Sequence, residues 1–186
     1  MTMFVLPLSE TLGTVLVGAT RGQAGHAALL RHLRGVQDAM VVLDLADVEV
    51  LSASYFREAI WPLGSWCQEN GAALVLANVN SAVADDIAVS LKAYGGAVII
   101  GARHGDRLTH PRILGELDEK LDLTLRLVCE AGVADAGSIA KASGETTVVT
   151  AWNNRLVTLN RMGLLREEKQ GKTKFYSPIV KGLKHG

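Results

Sequence analysis

Short apolar runs separated by polar turns dominate the first hundred residues. "TVLVGA" (Thr14–Ala19) is β-branched and predicts a strand; "QAGHAALLRHLRG" then places Ala24, Ala27, Leu29, Leu30 and Leu33 on a helical period. "MVVLDL" (Met40–Leu45) is continuously apolar, as befits a strand covered on both faces. A helical pattern runs from Ser54 to Glu69, and Pro62 should kink or split it. "AALVLANV" (Ala72–Val79) and "AVIIGA" (Ala97–Ala102) predict two more strands, with a helix from Ser81 to Gly95 between them. Strands alternating with helices across short connections predict an α/β sandwich.

The pattern changes at "RHGDRLTHPRILGELDEK" (Arg103–Lys120), a polar stretch carrying Pro111 that reads as a domain junction. Residues 1–110 are therefore expected to form one domain, and residues 111–186 a second that begins with a linker helix. Three helices are predicted beyond the junction: "LDEKLDLTLRLVCEAG", closed by Gly132, "DAGSIAKAS", and "TTVVTAWNNRLVTLNRMG", closed by Gly163. "LLREEKQGKTKFYS" follows as two strand-like runs around a Lys-Gln-Gly-Lys turn.

Charge sharpens the contrast. The net formal charge is zero, yet Ala151–Gly186 carries eight Lys/Arg against two Glu, and Met1–Gly115 carries eight Lys/Arg against ten Asp/Glu. A basic end on a neutral chain points to a localised anionic partner, nucleic acid first. Cys67 and Cys129 stand far apart in apolar helical contexts without metal-ligand spacing, and read as reduced core residues of a cytoplasmic protein. The start of the chain has no basic segment followed by a long apolar run, so no signal peptide is expected. No apolar segment reaches the ~18 residues of a membrane span.

The phrase "WNNRLVTLNRMGLLREEKQGKTKFYSP" resembles the end of a winged helix-turn-helix domain, in which a recognition helix of the form L-x-x-L-x-x-x-G-L leads directly into a basic hairpin wing. Leu156, Leu159, Gly163 and Leu164 fill those positions, "SIAKAS" resembles the short helix before the turn, and the likeness covers about Leu117 to Pro178. It implies an α+β fold that binds double-stranded DNA. The residues themselves agree. Val149, Trp152, Leu156 and Leu159 form one apolar stripe for the core. The opposite face carries Thr147, Thr150, Asn154, Thr158 and Arg161, flanked by Asn153 and Arg155. Thr and Asn bond phosphates or base edges, and Asn pairs bidentately with adenine. Arg161 stands near the helix end, where it serves equally as a phosphate contact or a dipole partner. Lys169, Lys172 and Lys174 cluster at the wing, placed to track phosphates.

Two families compete for the first domain. "VLVGATRGQAGHAALL" resembles the glycine-rich turn of short-chain dehydrogenases, with Asp44 in a plausible place for a ribose contact. Gly22 and Gly25, however, are one residue too far apart, and neither Tyr55 nor Tyr94 has a Lys four residues on. "VVLDLADVEVLSASYFREAI" resembles the central strand–turn–helix of the STAS superfamily (sulfate transporters and anti-sigma antagonists). It is closer still to an uncharacterised STAS-like branch that reads roughly D-F-x-x-V-x-x-I-S-x-S-F, which Asp44, Val48, Leu51, Ser52 and Ser54 match, with Tyr55 in the aromatic place. This likeness covers about Thr14–Ala102. Antagonists of the anti-sigma type are phosphorylated on a Ser following an Asp. Here those positions fall on Ala53 and Ser52, so that switch does not carry over. Ser52 and Ser54 remain candidate regulatory hydroxyls, against the plainer reading that one of them caps the helix.

No catalytic set emerges. Asp85 and Asp86 point different ways on one helix, and His26, His32, His104, His110 and His185 lack ligand spacing. Trp61 and Trp66 read as core or subunit-interface residues. No metal, cofactor or membrane association is expected. The resemblances together imply a bacterial, cytoplasmic, homodimeric transcriptional regulator. Its STAS-like domain would sense a signal, bind a protein partner or dimerise, with candidate interfaces near Trp61 and along Ile113–Leu127. The rival readings are a protein-interaction adaptor whose winged helix leaves DNA alone, and a nucleotide-binding enzyme.

Overall fold

A computed structural model describes residues 1–144 and 148–184. The chain divides into two units, one formed by Met1–His110 with Leu114–Glu116, the other by Pro111–Ile113 with the chain from Leu117 onward.

The first unit runs β1 (Thr2–Pro7), α1 (Leu8–Leu12), β2 (Val15–Leu16), α2 (Ala19–His32), β3 (Ala39–Asp44), β4 (Val50–Leu51), α3 (Ala53–Ala59), α4 (Leu63–Glu69), β5 (Ala73–Ala77), α5 (Ser81–Tyr94), β6 (Ala97–His104) and β7 (Arg107–Gly115). It is a mixed α/β structure around a sheet of order β1-β3-β5-β6-β7. β1, β3, β5 and β6 are parallel neighbours, in a register that aligns Pro7, Asp44 and Ala77 at their carboxyl ends. Val41, Val42 and Leu43 of β3 are fully buried, which explains the uninterrupted apolar run. Pro62 does split the long helical pattern, falling between α3 and α4.

Three expectations change. The run at Thr14–Ala19 is a strand only at Val15–Leu16, and it leaves the main sheet to pair in parallel with Val50–Leu51. β1 is an additional strand at the sheet edge. The polar stretch after Arg103 contains β7, returning beside β6 after a turn at Gly105–Asp106. An edge strand tolerates both charge and proline, so Pro111 and the Arg/His content do not prevent it.

Two glycines of "GATRGQAG" have a packing role. Gly22 and Gly25 lie inside α2 and are buried against α3. A Cβ on Gly22 would sit 2.9 Å from Glu58 Cβ and 3.1 Å from the Tyr55 carbonyl oxygen; one on Gly25 would run into the Tyr55 hydroxyl. Gly25→Ala is therefore expected to destabilise the chain by about 1–3 kcal/mol through overpacking. Tyr55→Phe in the same chain should recover part of the loss by removing the nearest atom. Urea midpoints check this, and an unchanged midpoint for Gly25→Ala would contradict the close packing.

The second unit comprises α6 (Glu119–Ala131), α7 (Ala136–Ser143), α8 (Val149–Arg161), β8 (Leu165–Gln170) and β9 (Thr173–Pro178). Its boundaries follow local chemistry. Asp118 caps α6 by accepting the Leu121 N–H at 2.8 Å, and Gly132 ends that helix at φ +75°. Asp135 and Ser138 form a capping box on α7. β8 and β9 pair antiparallel, and Ala134 adds a short third segment through bonds of 2.9 and 2.8 Å with Tyr176. The expected linker helix, α6, is an integral member: it packs on α7, α8 and β9, with Leu125 and Val128 buried. Within the candidate interface Ile113–Leu127, Thr124 and Leu125 are thus buried in the second unit, and Leu114 packs against the core of the first.

Candidate nucleic-acid interface

α8 is anchored by one face. Trp152, Leu156 and Leu159 are fully buried, whereas Val149, expected in the same stripe, is 52% exposed. The first turn of α8 therefore reaches past the core. Thr150, Asn154, Thr158 and Arg161 are exposed, and Asn153 is half-buried beside them. Thr158 Oγ1 donates back to the Asn154 backbone carbonyl at 2.9 Å, a local bond on the exposed side of the helix. Thr147 lies outside the described residues. Arg155 is placed differently from its polar neighbours: its guanidinium carbon sits 4.3 Å over the Trp152 ring and the residue is half-buried. This cation–π contact ties Arg155 to the core side of the helix.

Gly163, at φ +73°, ends α8 and turns the chain so that Leu164 and Leu165 bury immediately. The hairpin then extends outward. Register sets Lys169 opposite Lys174 and Glu167 opposite Tyr176 on the same face. Two directly opposed lysines repel. Glu167 relieves this by accepting from Lys174 Nζ, at 2.8 and 3.0 Å to its two oxygens, while also accepting the Tyr176 hydroxyl at 2.9 Å. Partial burial pushes the Glu167 carboxyl up, but the bonds from Lys174 and Tyr176 outweigh it and hold the carboxyl below its ordinary range. The Tyr176 hydroxyl is pushed up to about 12, by burial first and then by the hydrogen bond and charge of Glu167. Lys174 is thus a structural tie within the hairpin as well as a surface cation. Lys169 and Lys172 are exposed near the tip, at and beside the Gly171 turn.

In the first unit, Ser52 is the N-cap of α3. Its Oγ accepts the Tyr55 N–H and the Gly18 N–H, each at 3.3 Å, and lies 3.2 Å from Ser54 Oγ. One hydroxyl thereby joins the starts of α2 and α3. Ser52→Ala is expected to cost about 0.5–2 kcal/mol. Thermal melts of wild type and variant check this, and an unaltered midpoint would contradict the capping role.

A polar cluster that sequence reading missed closes the carboxyl ends of β3, β5 and β6. Asp44 is 5% exposed; Oδ1 accepts from Asn78 Nδ2 at 2.8 Å and from the Ala46 N–H at 3.1 Å. Oδ2 accepts from Arg103 Nε at 2.8 Å and Nη2 at 2.7 Å. Asn78 adopts φ +56° and accepts the Arg103 N–H at 2.9 Å. The only advance signal was an Asp ending an apolar strand; its partners lie 34 and 59 residues away.

Trp61 is half-buried between Phe56 and Tyr94, at centroid distances of 6.3 and 5.9 Å, and packs with Trp66 against the apolar core. Burial pushes the Cys67 thiol up to about 12 and, with the Glu130 charge second, raises that of Cys129. Among the described residues, which exclude His185, no group of three His, Cys, Asp or Glu could hold a metal ion, and no helix is long and apolar enough to cross a membrane. Compared with protein-family models, characterised proteins and solved structures, the chain finds no match.

Proposed function

We propose that the chain is a cytoplasmic, sequence-specific DNA-binding transcriptional regulator. In this reading the second unit is a winged helix-turn-helix domain and the first a STAS-like domain that senses a signal, binds a protein or dimerises. The observation that carries it is the combination on α8 and its hairpin. A helix clamped by Trp152, Leu156 and Leu159 presents Thr150, Asn154 and Thr158 outward. It leads through Gly163 into a hairpin whose tip carries Lys169 and Lys172. Helix polar groups would read base edges, and the lysines would neutralise phosphates. The STAS-like reading of the first unit rests on the resemblance of Asp44–Tyr55 in sequence.

Asn154→Ala tests base reading. It is expected to lower discrimination between preferred and scrambled duplexes by about 1–3 kcal/mol while leaving the salt dependence of binding unchanged. Equal loss on every duplex would reassign Asn154 to backbone contact. The stoichiometry of the same complex tests the proposed homodimer: two chains per duplex support it, and one chain at saturation contradicts it. A protein that binds no DNA would return the hairpin to the adaptor reading.

A further inference from the structure

We propose that Val148 and Val149, at the start of α8, read thymine 5-methyl groups in the major groove, so that this helix selects A·T-rich sites. The inference rests on the DNA-binding reading above and names the base class that surface would recognise.

Val148 and Val149 are 69% and 52% exposed and adjacent in the chain, although the helical period running back from Trp152 predicts a buried Val149. Neither is among the buried residues of the core. A β-branched apolar residue also gains nothing at a solvated helix start, where Ser, Thr, Asp and Asn satisfy the free N–H groups, and Val148 makes no side-chain cap bond. Two exposed valines at such a position suit a surface that is covered in use.

The surroundings specify what covers it. Val149 and Asn153 are one helical turn apart, as are Thr150 and Asn154, so each amide lies beside an apolar or methyl-bearing side chain. The lysines of the following hairpin mark the covering partner as an anion. In a duplex the major-groove edge of an A·T pair offers the adenine N6/N7 pair, which suits an Asn amide, and the thymine methyl, which suits an apolar side chain. Residues at the amino end of a recognition helix are the ones that reach base edges.

The test uses the full chain and duplexes enriched by it from a random-sequence library. Each thymine in the enriched site is replaced by uracil, which deletes only the 5-methyl group. Wild type is expected to bind about fourfold more weakly for each contacted methyl removed, the equivalent of one buried methylene-sized group. Val149→Ala, and Val148→Ala at its own position, should bind thymine and uracil duplexes alike, with an unchanged salt slope. Val89→Ala, an equally exposed valine on α5 of the first unit, should keep the wild-type preference. If wild type enriches a sequence yet binds its thymine and uracil forms equally, the methyl-reading inference is overturned while DNA binding stands. If the valine variants weaken both forms alike and keep the uracil penalty, the valines do not read methyls. If no sequence is enriched and binding shows no salt dependence, the DNA-binding reading itself fails, and this inference with it.

Discussion

Replacing Lys169 and Lys172 together by alanine is expected to weaken binding to every DNA sequence and to flatten the slope of log Kobs against log salt by about 1.8, near 0.9 for each lost phosphate contact. Both side chains are exposed near the Gly171 turn. Neither supports the core, so the fold should be unaffected and the change should appear in affinity alone. Lys174→Ala should behave differently. Lys174 is held at 2.8 Å by Glu167 and stands opposite Lys169, so its removal frees Glu167 and also relieves a like-charge pair. A smaller change in slope is expected, together with a modest shift in hairpin stability. Fluorescence anisotropy across a salt series resolves the two behaviours. An unchanged slope for the Lys169/Lys172 variant would remove the hairpin from the interface.

Asp44→Ala is expected to be the most destabilising single change in the first unit, at about 3 kcal/mol, the lower end of the range for breaking a buried ion pair. The carboxylate accepts four hydrogen bonds, and its loss strands the donors of Asn78 and Arg103. Solvent repays part of this, because the Arg103 side chain is 26% exposed. Arg103→Ala in the same chain should cost less than the sum of the two single changes, since one interaction is removed twice. Urea denaturation of the four chains measures the coupling. Strict additivity, or a loss below about 1 kcal/mol for Asp44→Ala, would show that the cluster does not hold the strand ends.

What the sequence discloses depends on whether a feature is local. β3 was legible because burial on both faces demands an unbroken apolar run. α8 and the hairpin were legible because a 3.6-residue period, a terminal glycine and a Lys-rich turn all lie within about thirty residues of chain. β7 was not, since an edge strand satisfies one side with solvent and needs no apolar alternation. Val149 continues the helical period of the core stripe but lies past the end of the core, and periodicity carries no information about where a core ends. Lys174 looks like its neighbours in sequence, and only the antiparallel register reveals Glu167 beside it. The partners of Asp44 come from separate strands, so no spacing rule connects them.

The central claim is that the second unit binds DNA, and the most direct measurement is titration of the full chain onto a labelled duplex from its own upstream region between 50 and 200 mM salt. Binding is predicted, with log Kobs falling linearly against log salt at a slope of roughly −2 or steeper. Binding that is absent at the lowest salt, or indifferent to salt throughout, would contradict the account.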